Sequence, residues 1–244
     1  MLSLGLGCFG LSYFGLGYFG LGYLGLGCFG QGIELPANEK ELLAETSHTL
    51  TLESLDSLGP HRALIQATRS DAIGEQSEGL ELIWGGWDSF QATWARNGKP
   101  TRRTLVLGGQ AWVGKLDSMK QWPDTSLYIG ELGSSWDAYT RVLAPFAERF
   151  VLDYRETVEH EGRTAWVYQV SLAPGTDPKR GLAPKDLSGT VTLDKATAVR
   201  LKAEIQGRLW DPQLDCERLV TVNISRSEIG VPPDLAEPAP SAQR

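Results

Sequence analysis

The chain has 244 residues, eight tryptophans, three cysteines, three histidines and a formal net charge of −7. Its Lys and Arg are scattered singly apart from Arg102-Arg103 and Lys179-Arg180, without the basic patch of a nucleic-acid binder, so no nucleic-acid partner is expected. No CxxC or HxxxH pair occurs, so neither a metal nor any other cofactor is expected.

The first segment is a repeat. From Leu6 the unit reads LGCFG, LSYFG, LGYFG, LGYLG, LGCFG, and no charged side chain precedes Glu34. Residues 2–29 are long enough to cross a bilayer as a helix. The glycines fall two, three and five apart, so no GxxxG pairing face exists, and a five-residue step turns about 140° around a helix. An export signal fits the apolar run and its small residues, although the n-region lacks Lys and Arg and the run is long for an h-region. Cys28 follows Leu24-Gly25-Leu26-Gly27, which resembles a bacterial lipoprotein processing site, with Gly25 where a large apolar residue is usual. Cys8 has a similar context but too short a segment before it. Duplication of a short DNA repeat would also produce such pentads. Residues 1–35 are read as an export signal or membrane segment, with Cys28 as the candidate lipidation site.

A domain over residues 36–230 follows. Asn38 can cap a short helix at 38–46, with Glu41 at its third position. Alternation then takes over. Leu50 and Leu52 share a face, as do Ala63, Ile65 and Ala67. Leu80, Leu82 and Trp84 form the next set, and Trp87 after Gly85-Gly86 marks a bend. Phe90, Ala92 and Trp94 lead into a hairpin turn at Asn97-Gly98, where both residues tolerate positive φ. RRTLVL returns, and Gly108-Gly109 leads into QAWVGK. Trp136, Tyr139, Leu143, Phe146 and Phe150 then recur at helical steps, and Pro145 predicts a kink or two short helices.

The last third is β again. FVLDYRETVE turns at Glu161-Gly162 into a strand with Trp166, Tyr168, Val170 and Leu172 on one face. A loop runs over 174–185, and LSGTVTLD ends in a turn at Asp194 to Thr197. Val199, Leu201, Ala203, Ile205 and Leu209 oppose Arg200, Lys202, Glu204, Gln206 and Arg208. Val220, Val222 and Ile224 close the domain. Residues 231–244, rich in Pro and Ala, are expected to be a disordered tail.

The predicted class is α+β, mainly antiparallel β. Strands with one apolar face imply a strongly curved sheet forming an unclosed half-barrel, with short helices covering the concave face. Leu82, Trp84, Phe90, Trp94, Trp112, Leu143, Phe146 and Trp166 are the candidate lining for a lipid or acyl chain. The same residues also serve as structural core. In a half-open barrel the two roles merge near the mouth.

No enzyme is expected. Glu159-His160-Glu161 sits at a hairpin turn, and Asp211, Asp215 and Cys216 sit in a loop where carboxylates would disfavour a thiolate. His48 and His61 are lone residues at strand starts, and neither GxSxG nor SxxK occurs.

One late pattern carries a resemblance. Gly162, Arg163, Ala165, Tyr168, Val170 and Leu172, followed by Val191, Leu193, Asp194 and Thr197, resemble the periplasmic lipoprotein-carrier (LolA-like) superfamily over residues 38–230. The resemblance implies an unclosed β-barrel covered by helices, with an apolar cavity for acyl chains. It implies a cell-envelope lipoprotein, periplasmic or outer-membrane anchored, that binds a hydrophobic ligand. The alternative is a structural or regulatory envelope protein of the same fold that binds a protein partner and no lipid. A cavity filled by the Tyr139, Leu143, Phe146 and Phe150 stripe would favour that alternative.

Overall fold

The structure is a computed structural model that describes residues 53–115, 118–125, 128, 132, 142–178 and 181–238. The N-terminal repeat with Cys28, the 38–46 helix, the Leu50/Leu52 face, and Trp136 and Tyr139 lie outside the described residues.

A short helix, α1 (Glu53–Ser57), precedes the first strand. The strands are β1 (His61–Asp71), β2 (Gly74–Gly86), β3 (Ser89–Arg96), β4 (Lys99–Leu107), β5 (Gln110–Lys115) and β6 (Ser118–Trp122), then β7 (Phe150–His160), β8 (Arg163–Leu172), β9 (Ala183–Asp194), β10 (Arg200–Asp211) and β11 (Cys216–Ser227). A 3-10 helix, Ala144–Arg149, leads into β7. The eleven strands among the described residues form one antiparallel sheet in the order β6-β5-β4-β3-β2-β1-β11-β10-β9-β8-β7. Two meanders therefore meet where the first strand pairs with the last. The edges β6 and β7 do not pair with each other, so the sheet is not closed into a barrel.

The turns follow from local chemistry. Asn97 and Gly98 have φ of 50° and 70°, and Glu161 and Gly162 have 51° and 74°, the left-handed conformation that tight hairpins need. Pro145 does not kink a long helix among the described residues. It sits in the first turn of the 3-10 helix, where its missing N–H loses no intrahelical bond.

The apolar alternation places the core on one face. One row of register partners runs from β7 to β4 through Tyr154, Tyr168, Val191, Ala203, Ile224, Ile65, Leu80, Trp94 and Arg102. A second runs from β2 to β6 through Trp84, Phe90, Val106, Ala111 and Trp122. Leu55 of α1, Leu132, Val142 and Phe146 join the same buried cluster. Phe146 fits because Gly207 has no side chain. A Cβ there would lie 2.5 Å from the ring.

Two expectations need correction, and one strand is new. Arg200 was assigned to the polar side of β10 but is only 7% exposed. The register with β9 shifts between Arg200 and Lys202, and that irregularity sets Arg200 opposite the buried Leu193. Strand β6 escaped notice because SMKQW is nearly all exposed and carries no apolar period. The loop expected through 185 ends sooner, since β9 begins at Ala183. Beyond β11 the chain is irregular through 238, and Pro233 lies over Gly85, 2.8 Å from where a Cβ would stand.

Candidate ligand-binding face

Seven of the candidate lining residues come together on the core face. Leu82, Trp84, Phe90, Phe146 and Trp166 are buried in the main cluster, and Trp94 and Leu143 pack against it partly buried. Trp112 does not join them. Its neighbour Ala111 pairs with Val106 and points into the core, so Trp112, opposite Leu105, faces the other side of the sheet. The fully buried five therefore form a floor, and only Trp94 and Leu143 stand at the rim. At the β6 edge the same face opens, with Trp122 50% exposed.

Arg102 and Tyr128 belong to this rim but were not singled out from the sequence. The Arg102 guanidinium carbon lies 5.4 Å from the Trp94 ring centre and 6.0 Å from that of Tyr128. Cation–π contacts of this kind contribute roughly 0.5–1 kcal/mol at exposed sites. An ideal two-residue hairpin at Asn97-Gly98 would pair Trp94 with Thr101. A register shift near Pro100 pairs it with Arg102 instead. Pro100 lacks the N–H that regular pairing would use.

Cations cluster at the end of the face where Trp84 stacks on Phe90 (ring centres 5.6 Å apart). Arg226 is 1% exposed, and burial together with the Arg200 charge lowers its pKa to about 9. Burial lowers that of Arg200 to about 10. His61 is 2% exposed, and its Nδ1 lies 2.8 Å from the Gly59 carbonyl. Burial, then the Arg226 charge, lowers its pKa to about 4.

A pH prediction follows from His61. The folded state holds a neutral imidazole, whereas the unfolded chain takes up the proton near pH 6.5. The contribution is complete above that pH, falls as pH drops toward 4 and is lost below it. It amounts to about 3 kcal/mol, from the lowering of pKa from 6.5 to about 4. Urea unfolding at pH 7.5 and 4.5 should show this loss in the wild type and a smaller one in His61→Asn. Equal losses in the two proteins would refute the assignment.

The residues behind the family resemblance also converge. Arg163 Nε and Nη2 donate to the two Asp194 carboxylate oxygens at 2.7 and 2.9 Å. Thr197 donates to Asp194 through its backbone N at 2.8 Å and its hydroxyl at 2.6 Å. This locks the start of β8 to the turn after β9. Burial pushes the Asp194 carboxyl up, but Arg163 and Thr197 outweigh it and hold the group below the usual carboxylate range. Asp194→Ala should therefore destabilise the chain by about 2 kcal/mol at pH 7, because Arg163 keeps partial access to water. A urea midpoint unchanged from wild type would contradict this.

The acidic clusters serve turns. The Asp211 carboxylate accepts from the backbone N of Gln213 at 2.8 Å and of Leu214 at 3.3 Å, and it contacts Arg218. Cys216 is half-buried at the start of β11. Glu159 accepts from the Thr164 hydroxyl, and Glu161 occupies a left-handed turn position. Among the described residues no group of three or more His, Cys, Asp or Glu side chains could hold a metal ion. No described helix is long and apolar enough to cross a membrane.

Surface cavities are lined by described residues. One, of about 590 Å³, lies between the 3-10 helix and the β8–β9 loop. Another, of about 410 Å³, is a polar groove among Gln169, Thr190, Glu204 and Asn223.

The chain is similar to the solved lipoprotein LppX of Mycobacterium tuberculosis, with 14% identity over 82% of this chain and 100% of that one, at a TM-score of 0.36. It is similar to MucB, with 12% identity over 80% of this chain and a TM-score of 0.34, and it spans 60% of that chain's length. A LolA superfamily protein from Nitrosomonas europaea shows 8% identity over 77% of this chain and 91% of its own, at a TM-score of 0.26. No protein-family model matches the chain, and no curated protein matches it significantly.

Proposed function

We propose that this chain is a cell-envelope protein that binds a hydrophobic ligand, an acyl chain or lipid, on the apolar face of its open sheet. One observation carries the reading. The apolar face extends to the rim instead of closing, leaving Trp94, Leu143 and Tyr128 half-buried and Trp122 half-exposed at the edge strand. Apolar surface left at the border of a core favours an apolar partner, because its removal from water contributes about 25 cal/mol per Å². Trp94 and Leu143 would touch the ligand, above the floor of Leu82, Trp84, Phe90, Phe146 and Trp166. The repeat at 1–35 would bring the chain to the membrane, with Cys28 lipidated.

A second reading has its own support. Phe146 is fully buried over Gly207, so the chain's own side chains fill part of the face. An envelope protein of this kind would hold a protein partner and no lipid.

Intact-protein mass spectrometry on material from the native membrane fraction separates these readings. The expected mass begins at Cys28 and includes a diacylglycerol and an acyl chain, with further lipid copurifying. A lipidated chain that carries no further lipid would favour the partner reading. An unprocessed chain from Met1 in the soluble fraction would overturn the export reading.

A further inference from the structure

We propose that the cavity between the 3-10 helix and the β8–β9 loop holds the zwitterionic head of a lipid, a phosphate ester joined to an ammonium as in phosphoethanolamine. The inference rests on the hydrophobic-ligand reading and names the polar end of that ligand.

The cavity measures about 590 Å³, and its charged lining residues are Arg149, Asp177 and Glu148. Arg149 is held by the backbone around it. Its Nε donates to the Ala173 carbonyl at 2.8 Å, and its Nη1 donates to the Pro184 carbonyl at 3.3 Å. Its side chain is only 18% exposed. A guanidinium fixed in this way loses little further freedom on taking a phosphate oxygen. Nη1 also lies 3.8 Å from Asp177 Oδ1, and Lys185 contacts the other carboxylate oxygen. Glu148, beside Arg149 on the 3-10 helix, is exposed.

This sign pattern selects the ligand. A simple anion drawn to Arg149 would be repelled by Glu148, since Asp177 is already paired with Arg149 and Lys185. A simple cation drawn to the carboxylates would be repelled by Arg149. A head that carries both charges places each against its opposite. Thr176 adds a hydroxyl to the wall, and the rest of the lining is apolar. Pro145, Leu182 and Pro184 line it, and Leu182 also packs against the main core cluster. A chain attached to the head would leave the cavity beside Leu182, toward the proposed apolar face.

The test titrates the full chain with dihexanoyl-phosphatidylethanolamine, dihexanoyl-phosphatidylglycerol and chain-free glycerophosphoethanolamine, with cis-parinaric acid as the acyl probe. Phosphatidylethanolamine should bind about tenfold tighter than either of the other two phosphate compounds, a difference of about 1.4 kcal/mol. Glu148→Gln, an exposed substitution, should abolish that preference in a chain that still binds parinaric acid. Parinaric acid binding with no preference between the two lipids, or with a preference that Glu148→Gln leaves intact, would overturn the head-group inference alone. Failure of parinaric acid and both lipids to bind would overturn the hydrophobic-ligand reading with it. Equal binding of the chain-free compound would show that no lipid chain is involved and would also overturn the inference.

Discussion

Gly189→Ala should destabilise the chain by at least about 3 kcal/mol, because backbone strain and a main-chain clash act at one position. Gly189 has φ of +147°, a conformation that side chains rarely adopt. A Cβ there would stand 2.1 Å from the Glu204 carbonyl oxygen of β10. That atom belongs to a paired strand, so it cannot move aside as a side chain would. Relief requires β9 and β10 to separate beside the Gly189–Ile205 pair. The expected result is a large fall in the urea midpoint, or failure to fold. Gly98→Ala tests whether any glycine loss would do the same. Gly98 has φ of +70° but nothing within 4 Å of its would-be Cβ, so its effect should be near 1 kcal/mol. Similar losses for the two variants would show that the clash is not the cause.

Trp84→Ala should remove about 3–5 kcal/mol, the range for emptying a buried aromatic site. Trp84 is 1% exposed. Its ring stacks on Phe90 and meets Trp87 edge-on, with centres 5.0 Å apart and planes at 88°. Trp87 in turn donates its indole N–H to Asp56 of α1. The vacancy would therefore weaken the attachment of α1 as well as the sheet. Trp122→Ala, at the half-exposed edge, should change stability by no more than about 0.5 kcal/mol. Comparable losses at the two positions would mean that the aromatic stack is not the anchor proposed here.

These two residues were not equally legible in the sequence. Trp84 could be placed because Leu80, Leu82 and Trp84 alternate, and alternation reports which side chains share a sheet face. Gly189 could not, since a glycine within LSGTVTLD looks like any weak strand position until the facing carbonyl is known. Trp112 shows the limit of composition. Its size suggested burial, and it is buried, but its parity relative to Val106 and Ala111 sets it on the other face of the sheet. Parity depends on register, and register depends on turns and bulges that span several strands. The Arg163–Asp194–Thr197 lock was visible only as a pattern. Its hydrogen bonds join a strand start to a turn about thirty residues later, and linear spacing does not encode that distance.

By itself the sequence determined the local structure: predominantly β segments, the hairpins at Asn97-Gly98 and Glu161-Gly162, and the apolar face of most strands. These depend on side chains one to four residues apart and on which residues tolerate positive φ. Only the tertiary structure decided the strand order, with β1 beside β11 and the edges β6 and β7 unjoined. It also decided the burial of Arg200 and Arg226, the seat of Phe146 over Gly207 and the anchoring of Arg149 by two distant carbonyls. Each is a contact between segments far apart along the chain, where the removal of shared surface from water, and not local preference, sets the outcome.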